Sequence, residues 1–298
     1  MLIDQVLTGI LQKLPGQTFS IKKMCRLWTA EEKERFEQEL EYLSEKYAID
    51  TIVEGYVYFT GTVINETKYF QEHGSYRYSS FDEVNRNVYA NEKNMTLYML
   101  GLSLAEYLWE TTLRIHRFFE KEIRNTYGDC YLEIGPGHGK YFSEAYELGH
   151  FKRYVGIDIS QTAIAMTESY MKRQKSNQSS SKDYTLICQD VVSWDTHERY
   201  DFIVIQEVLE HLEDPLGMLK KLRELLSVDG TAYALMPICA PSAQHIFLFR
   251  DTTHVRELVG KAGLEIVKEE YVTANSVSIE TAEKKKLPIN ACLIVKKI

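Results

Sequence analysis

Cysteine is scarce in this chain and scattered. Cys25, Cys130, Cys188, Cys239 and Cys292 lie far apart with no C-x-x-C pair, which excludes the usual zinc knuckle and a disulfide framework and points to a reducing, cytoplasmic setting. No apolar run is long enough to cross a bilayer, so a membrane partner is not expected. Positive charge is also in short supply. With 35 Lys and Arg against 43 Asp and Glu, the formal charge is −8, which opposes the broad basic surface that a phosphate backbone requires and makes nucleic acid a disfavoured partner. The opening MLIDQVLTGILQKLPG lacks the basic start and small-residue cleavage site of a signal peptide. It spaces Ile3, Val6, Leu7, Ile10, Leu11 and Leu14 as an amphipathic helix and is expected to be structural. What remains is a chain of 298 residues, 44% hydrophobic and 26% charged, enough for one α/β domain with an accessory region.

Three parts are expected along it. Residues 1–64 read as a small helical, winged-helix-like module: Thr29 with Glu32 makes a capping-box pattern, Phe36, Leu40, Leu43 and Tyr47 recur at helical spacing, and the run Thr51 to Thr60 is rich in strand formers. Winged helices often bind DNA, but Glu31, Glu32, Glu34, Glu37, Glu39 and Glu41 on the third helix would repel phosphate. A packing or homodimerisation role is the expectation for this module. Residues 65–127 are rich in tyrosine and read as one or two long helices interrupted near Gly101, forming a lid or linker with polar-tipped aromatics. From 128 to 298 short apolar strands alternate with helical segments. The strands are Cys130 to Ile134, Tyr154 to Ile157, Thr185 to Cys188, Phe202 to Ile205, Thr231 to Met236, Leu264 to Glu270 and Ala291 to Val295, with helices between the first five. This is the pattern of a doubly wound sheet. Lys175 to Lys182 reads as a surface loop and Lys284 to Pro288 as a hairpin turn.

The sharpest local signal is Tyr131-Leu-Glu-Ile-Gly-Pro-Gly-His-Gly139, a strand that runs directly into a glycine-rich turn. Side-chain-free residues there let backbone approach a ligand at the carboxyl edge of a sheet. The spacing is G-x-G-x-G, with Lys140 where a dinucleotide fingerprint has its third glycine, which disfavours a nicotinamide cofactor. The second strand ends in Val-Gly-Ile-Asp158, placing a carboxylate to accept from both hydroxyls of a ribose. The third ends in Cys-Gln-Asp190-Val191, where a carboxylate can accept from an adenine amino group while Ile159 and Val191 sandwich the ring. The fourth ends at Gln206, beside the gap where the two halves of such a sheet diverge.

In this order and at these separations, LEIGPGHG, VGID, CQDV, YDFIVIQEVLEHLEDP and LMP resemble the class I S-adenosylmethionine-dependent methyltransferases over Tyr131 to about Val272. The resemblance implies a doubly wound, seven-stranded Rossmann-like sheet, to which the helical spacing noted above adds a mainly helical N-terminal region. It also implies Glu133, Gly135, Gly137 and Gly139 around the methionine portion of S-adenosylmethionine, Asp158 on its ribose, Ile159, Asp190 and Val191 at adenine, and Gln206 at the methionine end.

Methyl transfer from a sulfonium is an in-line displacement, so alignment in a dry pocket supplies much of the rate, and a hydroxyl acceptor must also lose its proton. If a helix begins at Gln206, then Glu207, Glu210 and His211 share one face at i, i+3 and i+4. The pattern E-x-x-E-H resembles the metal-binding stretch of small-RNA 2′-O-methyltransferases and ubiquinone-pathway O-methyltransferases, and His245 would complete a ligand set for a divalent metal. A metal-free reading, with His211 and His245 as base or acceptor contacts, stays open beside it. The expected acceptor is a hydroxyl or amine of a small molecule, held by Tyr89, Tyr98 and Phe249. Alternatives are a metal-assisted RNA or protein methyltransferase and a regulatory protein that binds the cofactor without consuming it.

Overall fold

Seven α-helices precede the first strand: α1 (Leu2–Lys13), α2 (Thr18–Leu27), α3 (Ala30–Ser44), α4 (Ile49–His73), α5 (Phe81–Val84), α6 (Glu92–Leu108) and α7 (Glu110–Arg124). The computed structural model describes residues 1–177 and 182–298, so the middle of the loop expected at Lys175 to Lys182 lies outside the described residues. Two units are distinguishable, Met1–His116 with Pro241–Ile246, and Arg117–Ala240 with Phe247–Ile298.

In the helical unit the apolar stripes of α1, α3, α4 and α6 meet. Ile3, Val6 and Ile10 of α1, Phe36, Leu40 and Leu43 of α3, Ile52, Val53 and Tyr56 of α4, and Leu100, Leu104 and Tyr107 of α6 form one buried cluster, with the Phe36 and Tyr107 rings stacked at 4.5 Å. The capping box is present. Thr29 N–H donates to the Glu32 carboxylate at 2.7 Å and Glu32 N–H to the Thr29 hydroxyl at 3.1 Å, which satisfies two of the amides a helix start leaves unpaired.

The wing expected at 51–60 is instead part of the helix α4, which also runs unbroken through the expected boundary at 64. Its strand-forming residues fall at helical spacing, and Ile52, Val53, Tyr56, Phe59 and Thr60 are buried along one side. Burial of that stripe outweighs the β preference of Val, Ile, Thr and Tyr, which is worth at most about 1 kcal/mol per residue. Gly101 does not interrupt the following helix either. It sits inside α6 where α4 crosses closely, and a Cβ there would lie 2.3 Å from the Cβ of Phe59 and 2.4 Å from the carbonyl oxygen of Gly55. The helical run breaks at Trp109 instead, which is extended at φ −111° and ψ 131° and whose indole N–H donates to the Tyr56 hydroxyl at 3.1 Å.

The second unit is a seven-stranded sheet of β1 (Cys130–Ile134), β2 (Arg153–Asp158), β3 (Asp183–Cys188), β4 (Tyr200–Ile205), β5 (Leu226–Ile238), β6 (Leu264–Thr273) and β7 (Ile289–Lys297). All seven expected strands are present. Their order is β3-β2-β1-β4-β5-β7-β6, the first five parallel and β7 antiparallel to both neighbours. Helices α8 (Lys140–Leu148), α9 (Gln161–Asn177), α10 (Pro215–Leu225), α11 (Thr252–Lys261) and α12 (Ile279–Lys285) connect them. Central strands covered on both faces bury nearly every residue, as in Phe202, Ile203, Val204 and Ile205.

The helix expected between β3 and β4 is absent. Side chains there bond their own backbone: Asp190 accepts from Val192 N–H at 2.9 Å, the Ser193 hydroxyl donates to the Asp190 carbonyl at 3.1 Å, and Thr196 accepts from Glu198 N–H at 3.1 Å. Such local bonds compete with a helical ladder. The expected turn at Lys284 to Pro288 is shorter than the sequence suggests, since α12 extends through Lys285 and only Lys286, at φ 51°, turns the chain.

Parallel strands that run outward from β1 in one direction and from β4 in the other leave a crevice at their carboxyl ends, the usual ligand position in open α/β sheets. The helical unit depends instead on close approach at Gly55 and Gly101, so Gly101→Ala should lower stability in urea unfolding by about 1–3 kcal/mol. An unchanged midpoint would show that α4 and α6 have room to separate.

Candidate functional site

β1 ends in the turn Gly135-Pro136-Gly137-His138-Gly139, and all three glycines have left-handed φ, at 72°, 57° and 91°. Two of them are required by packing as well as by conformation. A Cβ at Gly135 would lie 2.5 Å from Cγ2 of Val208, and one at Gly139 would lie 2.6 Å from Cα of Thr167. Gly137 differs, since a Cβ there would meet nothing within 4 Å. Its missing side chain therefore leaves backbone open rather than making room for a protein neighbour.

The turn is fixed from outside. Gly135 N–H donates to the Ile157 carbonyl at 2.8 Å, Gly137 N–H donates to Asp158 Oδ2 at 3.4 Å, and the Thr167 hydroxyl donates to the Gly137 carbonyl at 3.0 Å. Asp158, at the end of β2, also accepts from Ser160 N–H at 2.8 Å through Oδ1. Burial pushes its carboxyl above the ordinary carboxylate range, while the two backbone donors pull the other way.

Glu133 lies on β1 opposite Gly156 of β2 and Val204 of β4, with its side chain buried. It accepts a 2.5 Å hydrogen bond from the Tyr131 hydroxyl. Burial pushes its pKa up to about 8, opposed by that bond and by His138. Tyr131 went unnoticed as a site residue, although two residues apart on a strand means the same face. Thr167, which lies in no motif, and Val208, which lies inside the stretch read for Glu207, Glu210 and His211, hold the turn, and packing alone gives them that part.

At the end of β3, Asp190 is exposed and Val191 buried, while Ile159 beyond β2 is 71% exposed, an unusual position for an isoleucine at a sheet crevice. At the end of β4, Gln206 has a buried Oε1 with no hydrogen-bond partner among the described residues. Such an acceptor costs about 1–3 kcal/mol when it stays unsatisfied. Glu133, the three glycines, Asp158, Ile159, Asp190, Val191 and Gln206 are thus all carried on the ends of four adjacent parallel strands.

The stretch after Gln206 does not form the helix on which a shared face for Glu207, Glu210 and His211 depended. Glu207 is left-handed at φ 53°, Leu209–His211 is a single 3-10 turn, and α10 starts only at Pro215, where Asp214 caps it by accepting from Gly217 N–H at 2.9 Å. Glu210 still meets both of its neighbours. Glu210 is fully buried, with His211 Nε2 3.8 Å from its Oε1, and burial first, then the neighbouring Glu207, holds its carboxyl well above the usual range.

The remaining predicted residues are divided between the two units. His245 belongs to the helical unit, buried with its ring edge-on to Tyr76 at 5.7 Å. In that unit Tyr98 donates to or accepts from Ser242 Oγ at 3.1 Å, and Tyr89 faces the Phe81 ring at 6.2 Å. Phe249 is a core residue of the sheet unit. It has no exposed surface and sits 5.0 Å from the Phe247 ring, so the acceptor contact expected of it is replaced by packing.

The family model described as a methyltransferase domain matches residues 105–269, just over half of the chain. A ubiquinone biosynthesis O-methyltransferase of Coxiella burnetii is 28% identical over 118 residues, which are 39% of this chain and 47% of that protein; the match spans about half the length of the curated relative. Among solved structures, the mitomycin 7-O-methyltransferase MmcR superposes with a TM-score of 0.52 at 9% identity, covering 80% of this chain and 68% of its own. The [4+2]-cyclase SpnF gives 0.50 at 15% identity, covering 64% and 83%. At such identities both share the fold and nothing finer. The family match, the strand order and the motif-bearing strand ends agree: the chain belongs to the class I S-adenosylmethionine-dependent methyltransferases.

Proposed function

We propose that this chain transfers a methyl group from S-adenosylmethionine to a hydroxyl or amine of a small molecule. The observation that carries this reading is the open left-handed Gly137, held beside the Asp158 carboxylate at the carboxyl edge of the sheet. The cofactor, when bound, supplies an electrophilic methyl on a sulfonium. The residues present fit it. Gly137 lets backbone lie against the ligand, Asp158 offers acceptor lone pairs to ribose hydroxyls, exposed Ile159 and buried Val191 offer apolar surface to adenine, and Asp190 accepts from its amino group. The partnerless Oε1 of Gln206 suits the ammonium of an amino-acid moiety, with Glu133 as the second acceptor.

Alignment of the acceptor is then the main source of rate. For a hydroxyl acceptor, His211 in the 3-10 turn after β4 would take the proton.

A second reading is favoured by the contact of Glu210 with Glu207 on one side and His211 on the other. Two carboxylates and an imidazole suit a hard or borderline divalent cation, which would favour the ionised form of Glu210. If this cluster holds a metal, manganese titrated into the protein should lose its free-ion EPR signal, and Glu210→Gln with His211→Ala should restore it. Full free-ion signal in the unmutated protein sinks the metal reading.

Asp158→Ala should weaken binding of S-adenosylhomocysteine about 10- to 100-fold in titration calorimetry, the worth of about 1.5–3 kcal/mol for hydrogen bonds to a charged group. Unchanged affinity removes Asp158 from the site.

Glu133 gives a pH signature. Its carboxyl, ordinarily near 4.5, is raised to about 8 in the fold, so the folded chain holds a proton at neutral pH that the unfolded chain releases. The stabilisation is complete below about 4.5 and lost as pH rises through about 8. The melting temperature should therefore fall with pH across that window more steeply than in Glu133→Gln. Since a nearby cation favours the carboxylate, S-adenosylhomocysteine uptake at pH 7 should also release protons, seen as buffer-dependent binding heat that Glu133→Gln abolishes. Parallel pH profiles for the two proteins would contradict the buried protonated state.

A further inference from the structure

The helical unit contains a cavity of about 290 Å³ between α4, α6 and the segment that joins them, and Ala243 also lines it. We propose that this cavity binds a neutral ring-shaped molecule bearing hydroxyl groups.

Size comes first. A volume near 290 Å³ equals about ten waters at ~30 Å³ each and lies at the small end of ligand cavities. That is room for one substituted ring.

Charge narrows the class. The wall carries one acid and one base, Glu66 and Arg77, and they neutralise each other: Arg77 Nε lies 3.1 Å from both Glu66 carboxylate oxygens. Glu66 is 8% exposed, and the Arg77 guanidinium lies over the Tyr69 ring at 4.2 Å. No unmatched charge remains on the lining for a phosphate, a carboxylate or an ammonium.

The uncommitted polar groups complete the description. Several lining residues are already engaged: Thr62 donates to the Tyr58 carbonyl, Asn87 to the Glu83 carbonyl, and Tyr98 pairs with Ser242. In contrast, the hydroxyls of Tyr58 and Tyr78 and the amides of Asn65 and Asn94 make no side-chain hydrogen bond among the described residues. Two phenols and two amides, each able to donate and accept, stand beside aromatic faces and the Met95 thioether. Hydroxyls match those groups and a ring face matches tyrosine. The 241–246 segment that supplies Ala243 is fastened by the Tyr98–Ser242 bond and by Gln244 Nε2 against Met95 Sδ at 3.9 Å, so the wall is built rather than incidental.

A hydroxylated ring can be phenolic or a pyranose, and fluorine NMR on the full chain separates them. The probes are 4-fluorophenol, 4-deoxy-4-fluoroglucose and, as the charged counterpart, 4-fluorobenzoate, each recorded with and without protein, with S-adenosylhomocysteine titrated in parallel. We expect at least threefold excess line broadening of a neutral probe over benzoate, reduced at least threefold by Tyr58→Phe with Asn94→Ala. Broadening of phenol alone assigns the phenolic class, and of the sugar alone the carbohydrate class. Asn65→Ala, at an exposed position of α4, repeats the test if the double variant fails to fold. Broadening by neither neutral probe, equal broadening by benzoate, or full retention in the folded variants overturns the proposal. Probes that bind while S-adenosylhomocysteine does not would leave the cavity assigned and remove the methyltransferase reading; the reverse removes the cavity alone.

Discussion

The sheet unit depends on a backbone constraint at the end of β1. The chain must leave a buried strand and enter α8 within five residues, and it does so by three left-handed steps at Gly135, Gly137 and Gly139. An L-residue with a side chain would be strained at each of them. The flanking glycines are further trapped between Val208 and Thr167, so the turn is packed from both sides and its middle faces outward. Asp158 is held against that middle by Gly137 N–H. Neighbouring strand ends thereby become one site, because the same hydrogen bond that fixes the turn also fixes the carboxylate on β2.

Much of this was legible in the sequence, for identifiable reasons. Strands buried on both faces read as short continuous apolar runs, which is why YLEI, YVGI and FIVI marked β1, β2 and β4. The glycine spacing was equally readable, because left-handed φ leaves few alternatives. Residues 51–60 were misleading: Thr, Ile, Val and Tyr favour strands in isolation, and only the helices packed against Ile52, Tyr56 and Phe59 decide for α4. Local pattern could not show that Asp190, Ser193 and Thr196 would bond their own backbone and replace the helix before β4. The lid expectation at 65–127 singled out aromatic residues without distinguishing packed from uncommitted ones. Tyr98 lines the cavity, but Tyr58, which precedes that segment, also lines it.

Glu133 and Glu210 share an environment and differ in their neighbours. Both are buried acids close to the carboxyl ends of adjacent strands, β1 and β4, and desolvation dominates the raised pKa of each. Glu133 is relieved by a phenol donor and by His138, whereas Glu210 is further opposed by Glu207. A cation near either group would recover the energy lost by its burial, since a buried carboxylate is tolerated when paired. The unusual feature of this sheet edge is therefore a set of acceptors held in low dielectric before any cation arrives, with the partnerless oxygen of Gln206 between them in the chain.

Fold alone would not lead to methyl transfer, since one of the structures sharing it is a cyclase and the same sheet can host unrelated reactions. The chemistry is selected by which groups stand at the strand ends. The unsatisfied amide oxygen of Gln206 is costly in an isolated sheet, and the neighbouring strand ends carry a glycine with open backbone, a carboxylate fixed against it and an exposed Ile159. Under the proposed reading these groups would meet, in order along the strands, the amino-acid end, the ribose and the flat apolar base of one ligand. A dinucleotide would need its pyrophosphate beside this turn, where its fingerprint has a third glycine and this chain has Lys140. The glycine spacing, more than the sheet itself, separates this turn from the dinucleotide-binding turns built on the same topology.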